Sequence, residues 1–287
     1  MYERSITREH RTAFVVMIDQ SGSMAELVGY EGRMMTKAAA VAEATNLIIG
    51  ELMERARRQD GIRDYYDIAV VGYSGQSVRP MLSSGDDKPF ISIEELSKRE
   101  VKIHSRVEER LAPNGMTIPY TITTPMWVTP QAAGETPMYE GLNYAYEIVK
   151  DWCSRPANRD SFPPIIFNIT DGESSDCSAE DLVKISRKIR SLSTSDGEVF
   201  MINIHIASSS HKGSMMFPTF EEVEACSHRK AKELSYASST MPSVYEDMIC
   251  ELKGVVGQRN FVGVSYNASI TELITILNIG TISVKRD

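Results

Sequence analysis

The sequence predicts an α/β fold: a doubly wound, mainly parallel central sheet flanked by helices. Two observations predict it. Short, nearly unbroken apolar runs recur at residues 12–18, 67–73, 163–170 and 198–207. A strand that is apolar at almost every position is buried on both faces, as in a parallel sheet. Between the runs lie stretches of helical periodicity, and alternating strands and helices place the helices over the faces of such a sheet.

The first strand is residues 12–18 (TAFVVMI), followed by a polar, glycine-containing loop over 19–32. A helix is expected from Met34 to about Arg58. Its residues Met35, Ala38, Val41, Ala42, Thr45, Ile48, Ile49 and Leu52 recur at three and four, the spacing of one helical face. The alanines at 38–40, 42 and 44 let that helix lie close to a sheet. Residues 67–73 form the next strand and 77–82 a short edge strand, since Pro80 is tolerated only at an edge. Residues 83–134 run long, with a charged helical piece expected over 92–111 and a threonine- and proline-rich part over 117–130. A helix begins near Thr136-Pro137, and residues 163–170 form another buried strand. Ser178 and Asp181 have capping-box spacing before a stripe of Leu182, Ile185, Ile189 and Leu192. Residues 198–207 are a fifth strand, 208–221 an irregular loop, and Ser269 and Glu272 open a final helix with Leu273, Ile276 and Leu277. The reading is a single domain over 1–287, large enough to bury a core without disulfides or structural metals.

Composition narrows the function. The chain has 287 residues, 42% hydrophobic and 24% charged, a globular balance. Its 31 basic and 39 acidic residues give a net charge of −8, which argues against a nucleic-acid-backbone binder. No apolar run reaches the ~20 residues that cross a bilayer. The polar N-terminal stretch is not that of a signal peptide, so the expected location is the cytoplasm, with no membrane partner. Cys153, Cys177, Cys226 and Cys250 are scattered with no C-x-x-C pair, which reads as reduced thiols rather than a zinc site.

Three places carry chemistry: Asp19-Gln20-Ser21-Gly22-Ser23 after the first strand, Thr136 at a helix start, and Asp171 in Ile169-Thr170-Asp171-Gly172-Glu173 after another strand. Residues just beyond the C-terminal ends of parallel strands converge on one edge, where such folds bind ligands. Two carboxylates and three hydroxyls there suit a hard divalent cation, Mg2+ or Mn2+. In an extended loop, residues 19, 21 and 23 project inward together. Taken singly, Thr136-Pro137 is also an ordinary helix start, and Asp171-Gly172 an ordinary turn; their joint occurrence favours the metal.

These residues resemble a known family. Asp19-Gln20-Ser21-Gly22-Ser23 is similar to the Asp-x-Ser-x-Ser motif of von Willebrand factor A domains, and Thr136 and Asp171 match the family's other two site elements in order and context. The resemblance runs from about residue 12 to about residue 282, more loosely across 83–134 and 208–225. It implies a metal-ion-dependent adhesion site, with Ser21, Ser23 and Thr136 contacting the ion, Asp19 and Asp171 often acting through water, and a last position left for a partner's acidic side chain. Residues 261–269 and 277–281 resemble the bacterial tellurium-resistance TerY-like branch, which implies a stress-response setting with kinase-like and phosphatase-like partners.

The function expected is therefore a non-enzymatic, cation-dependent interaction module. Apolar Trp127, Met215, Met216 and Phe217 lie in the two irregular segments and are expected to contact the partner. Two rivals stand beside this. One is a hydrolase using the same cation, with Glu173 the only nearby candidate base. The other is a scaffold that binds partners without metal. Gly72-Tyr73-Ser74-Gly75-Gln76 lacks the second glycine of a nucleophile elbow, so Ser74 reads as a loop residue, and the five histidines are dispersed, with His205 expected in the core.

Overall fold

The computed structural model describes residues 2–82, 88–111, 116–208, 213–257 and 259–281. Parts of both irregular segments (83–87, 112–115, 209–212) and the end of the family resemblance (282) lie outside the described residues.

In chain order the elements are β1 (Thr12–Asp19), β2 (Leu27–Tyr30), β3 (Arg33–Thr36), α1 (Lys37–Ala56), β4 (Arg57–Arg58), β5 (Gly61–Ile62), β6 (Tyr66–Ser74) and β7 (Ser77–Pro80). Then come β8 (Ile91–Ser92), α2 (Ile93–Ser97), β9 (Lys102–Leu111), β10 (Thr117–Met126), α3 (Met138–Ser154), β11 (Ile165–Thr170) and α4 (Ala179–Arg190). The chain continues through β12 (Phe200–Ile206), β13 (Met215–Met216), α5 (Phe220–Ala225), α6 (Arg229–Ala237), α7 (Glu246–Lys253), β14 (Val264–Ala268) and α8 (Ile270–Thr281).

The main sheet runs β13-β14-β12-β11-β1-β6-β7, with β8 also on β6. Its interior pairs are parallel, whereas β13, β7 and β8 join antiparallel at the margins. The predicted doubly wound sheet is therefore present. Its reason is visible in β1, where every residue is buried. Phe14, Val16 and Ile18 join a core shared with α1 and α8, while Ala13, Val15 and Met17 join one shared with α3 and α4. Side chains alternate across a strand, so a run that is apolar throughout feeds two cores at once.

A polar chain crosses the middle of this sheet. The Tyr73 hydroxyl donates to Asn168 Oδ1 (3.0 Å), Asn168 Nδ2 to Asn203 Oδ1 (2.9 Å), and Asn203 Nδ2 to Ser238 Oγ (2.9 Å). All four are buried, and burial pushes the Tyr73 hydroxyl well up from its usual range, so it stays a neutral donor. Such groups are tolerated in an interior because each is satisfied.

Three expectations are corrected. The long helix starts at Lys37, not Met34, because residues 33–36 pair with 27–30 as a hairpin. Glu31 and Gly32 both have positive φ (49° and 73°), the conformation of a two-residue hairpin turn, and Thr36 then caps the helix by accepting from Ala39 N. The helical piece expected over 92–111 is only the short α2; residues 102–111 form a strand paired with 117–126. The charged residues suggested a helix, but the β-branched run opposite them supplies a strand partner. Pro119 and Pro125 are accommodated because β10 pairs on one side only. Finally, Ser74 closes β6 opposite Ser77 rather than lying in a loop.

Candidate metal site

The sheet's order reverses at β1. From β1 the chain crosses to β6 on one side and later enters β11 on the other. Ligands bind at such a switch point, beyond the strands' C-terminal ends. Asp19 ends β1, and Thr170-Asp171 ends and follows β11, which pairs with β1 in parallel. The two carboxylates are therefore neighbours across the switch point, as the sequence predicts.

Asp19 is fully buried. Its Oδ1 accepts from Ser21 N (2.8 Å) and its Oδ2 from the Thr170 hydroxyl (2.7 Å). Both donors are neutral. Burial pushes the Asp19 carboxyl up from its usual range; hydrogen bonds from Thr170 and Ser21 pull it back, and the charge of Asp171 adds to the rise. A carboxylate in that setting gains from a nearby cation.

From Asp19 a chain of oxygens crosses to β11. Ser21 Oγ lies 3.1 Å from Ser23 Oγ, and Ser23 Oγ donates to Asp171 Oδ1 at 2.6 Å. Adjacent ligands of an octahedral Mg2+ ion, with bonds of about 2.1 Å, lie about 3.0 Å apart. The donor set is all oxygen and mostly hydroxyl, which fits a hard cation. Among the described residues no three His, Cys, Asp or Glu side chains gather into a metal cluster, so any ion here relies on hydroxyls.

Thr136 reaches this place by backbone bonds. Gly22 N donates to Gly134 O, Ala133 N to Gln20 O, and Gly75 N to Glu135 O. Residues 133–135 are thus laced between the β1 loop and the β6 turn. Thr136 is buried, and a Cβ built at Gly172 would sit 3.5 Å from its Oγ1, beside Asp171. Helix α3 starts at Met138 with Pro137 at the cap position, so Thr136 stands one residue before the cap.

The structure shows contributors that the sequence reading missed. Asp176, from the β11 loop, accepts from Tyr139 N and Glu140 N (3.0 Å each) and caps α3 from outside. This ties the segment bearing Asp171 to the helix following Thr136. Asp176→Ala is expected to destabilise the fold by about 1 kcal/mol, as for other lost caps; an unchanged melting temperature would refute the role. Lys37, 1% exposed, donates to Asp171 Oδ2 (2.8 Å), Glu26 Oε2 (2.7 Å) and Ser208 Oγ (3.0 Å). Its hydrogen bond and charge hold the Glu26 carboxyl below the usual range. One signal was available: a cation opening a helix opposes the helix dipole, so Lys37 at the first position of α1 needs carboxylates.

Solved structures similar to the chain include von Willebrand factor A proteins. A von Willebrand factor type A protein from Catenulispora acidiphila is 16% identical, with 80% of this chain and 36% of that one covered and a TM-score of 0.43. The vWF domain of the type V pili tip protein Mfa5 from Porphyromonas gingivalis is 14% identical, with 61% and 48% covered and a TM-score of 0.32. A membrane-spanning protein from Vibrio fischeri is 14% identical, with 73% and 76% covered and a TM-score of 0.27. The chain thus spans about a third to a half of the length of the first two. No protein-family model and no curated protein matches it. Among the described residues, no helix is long and apolar enough to cross a membrane.

The residues expected to meet a partner are placed differently. Phe217 is fully buried in the core shared by α1 and α8, which corrects its assignment as a partner contact. Trp127 and Met216 are half-buried and pack on that same core, and Met215 packs on a small cluster with Val223 and Val264. Met215 and Met216 form an edge strand against β14 rather than an irregular loop. Glu173 pairs with Lys230 at 3.3 Å and lines a cavity of about 260 Å³ with His205 and Lys230. His205 is buried at the end of β12, and its ring stacks on Tyr266. The four cysteines are free and half-buried.

Proposed function

We propose that the chain is a non-enzymatic, divalent-cation-dependent protein-interaction module of the von Willebrand A type, forming one domain. Asp19, Ser21, Ser23, Thr136 and Asp171 would hold Mg2+ or Mn2+, which when bound supplies a Lewis-acidic point for an acidic side chain of a protein partner. The observation that carries the reading is the continuous row of oxygens from Ser21 through Ser23 to Asp171, beside the buried carboxylate of Asp19. The protein's own residues fix the row before any ion arrives: Ser21 N orients Asp19, and the 133–135 segment delivers Thr136. By resemblance to the TerY-like branch, we place the module in a cytoplasmic bacterial stress-response system, with kinase-like or phosphatase-like proteins as partners.

A hydrolase is the less favoured reading. Glu173, its candidate base, is 67% exposed at its side chain and paired with Lys230, outside the row of oxygens.

Calorimetric titration with Mg2+ and Mn2+, followed by affinity capture in Mg2+ and in chelator, tests the proposal. One bound ion per chain and Mg2+-dependent capture are expected. Capture that is equal in chelator would favour the metal-independent scaffold instead. The fold itself should survive chelation, because the strands and helices bury two apolar cores without help from the site. The ion should add stability only by linkage, about 2.7 kcal/mol at a hundredfold excess over Kd. Circular dichroism in chelator checks this, and an unfolded spectrum would make the ion structural.

A further inference from the structure

We propose that Lys37 is the resident counter-cation of Asp171: a fixed charge that keeps the site assembled without metal, lowers its affinity for a divalent ion, and leaves a bound ion receptive to an external carboxylate. The inference rests on the metal-site reading above and goes beyond it by assigning a residue that sets the site's charge.

Lys37 and Asp171 are both enclosed, with side chains 1% and 0% exposed. The ammonium has three protons, and three acceptors surround it: Asp171, Glu26 and Ser208. These come from three segments, namely the end of β11, the loop between β1 and β2, and the residues after β12. Asp171 is thereby divided. Its Oδ1 faces the Ser23 hydroxyl and its Oδ2 faces the ammonium. An enclosed carboxylate without a charged partner is strongly unfavourable, and in the absence of an ion the ammonium 2.8 Å away is that partner.

The charge balance follows from the same residues. Asp19, Asp171 and Glu26 carry three negative charges, and Lys37 carries one positive charge. Two negative charges remain, the amount one divalent ion neutralises. A neutral loaded site does not repel an arriving carboxylate. Without Lys37 the loaded site would keep a negative charge. It would hold the ion more tightly and the external carboxylate less well. Lys37 thus exchanges ion affinity for receptiveness to an acidic partner.

The test uses the full chain, with Mg2+ as the probe, and compares wild type, Lys37→Gln and Glu26→Gln. Lys37→Gln keeps a hydrogen-bond donor and removes the charge. It should bind Mg2+ about tenfold more tightly, because a like charge beside the ion is gone. In chelator it should melt below wild type, and it should gain more from saturating Mg2+ than wild type does. Glu26→Gln should shift Mg2+ affinity the opposite way, weakening it. A purely structural role for Lys37 would make Lys37→Gln bind more weakly and leave Glu26→Gln, whose side chain is 55% exposed, close to wild type. Equal or weaker Mg2+ binding by folded Lys37→Gln therefore overturns the inference. If Lys37→Gln folds in neither condition, Glu26→Gln decides: weaker binding supports the charge balance, and unchanged binding overturns it. Wild type that binds neither Mg2+ nor Mn2+ removes the metal-site reading and this inference with it, a result separate from tight wild-type binding that Lys37→Gln fails to improve.

Discussion

Replacing Asp19 by asparagine is expected to abolish divalent-cation binding while leaving the fold as stable as wild type, or more so, in chelator. The side chain is buried, and its negative charge is met by neutral donors, the Ser21 backbone N–H and the Thr170 and Ser21 hydroxyls. Burial has raised its proton affinity, so the folded protein without an ion carries the charge at a cost. An amide of the same shape removes that cost. Its oxygen can keep the Ser21 N–H. Its nitrogen then faces Thr170 Oγ1, which can turn its own proton to Gly172 O, 3.3 Å away. Removing one of the two carboxylates in the ion's donor set should lower Mg2+ affinity by about a hundredfold or more. Calorimetry reads the binding, and a melt in chelator reads the stability. Mg2+ binding equal to wild type would show that the site is elsewhere. Lost binding together with a collapsed melt would make Asp19 a structural residue, and the trade of stability for function would not apply.

The legible and hidden parts of this protein divide by the range of the information that fixes them. The strands that reach the site were legible because a parallel interior strand needs apolar residues on both faces, and residues 12–18 and 165–170 have them. Asp19, Ser21 and Ser23 were legible because one strand end and one short loop hold all three. The 102–111 strand was hidden. Its own sequence, with Arg106, Glu108 and Glu109, is equally a solvated helix, and only pairing with 117–126 makes it a strand. Phe217 was misplaced for a related reason. Its segment opens on a polar stretch of sequence, residues 208–214, yet β13 lies against β14 and carries Phe217 into the core with a φ of +43°. Lys37 and Asp176 were hidden because their roles depend on partners far away in the chain: Asp171 for Lys37, and the amides of 139 and 140 for Asp176. A lysine before a run of alanines reads locally as a solvated helix start. Its burial becomes meaningful only when the β11 end and the residues after β12 close over it.

The second large effect is expected at Gly134, a position whose importance comes from backbone geometry alone. Gly134 has a φ of +79°, and a Cβ there would lie 3.1 Å from both Cα and N of Gly75. These are backbone atoms, which cannot swing aside as the end of a side chain can. Gly134 O also accepts from Gly22 N at 2.8 Å, so displacement of this segment pulls on the loop that carries Ser21 and Ser23. Gly75 supplies the control. Its φ is also positive, at +57°, but nothing lies within 4 Å of a Cβ built on it. Gly75→Ala should therefore cost about 1 kcal/mol, from backbone conformation alone. Gly134→Ala adds the backbone collision to that conformational cost and should lose about 3 kcal/mol. It should also weaken Mg2+ binding, because Thr136 follows two residues later on the same strained segment, whereas Gly75→Ala should leave binding nearly intact. Denaturant unfolding in chelator measures the two stabilities, and titration of each variant with Mg2+ measures the binding. Equal losses at the two glycines would mean that the 133–135 segment moves freely away from the β6 turn. In that case the lacing described above would not be what delivers Thr136 to the row of oxygens.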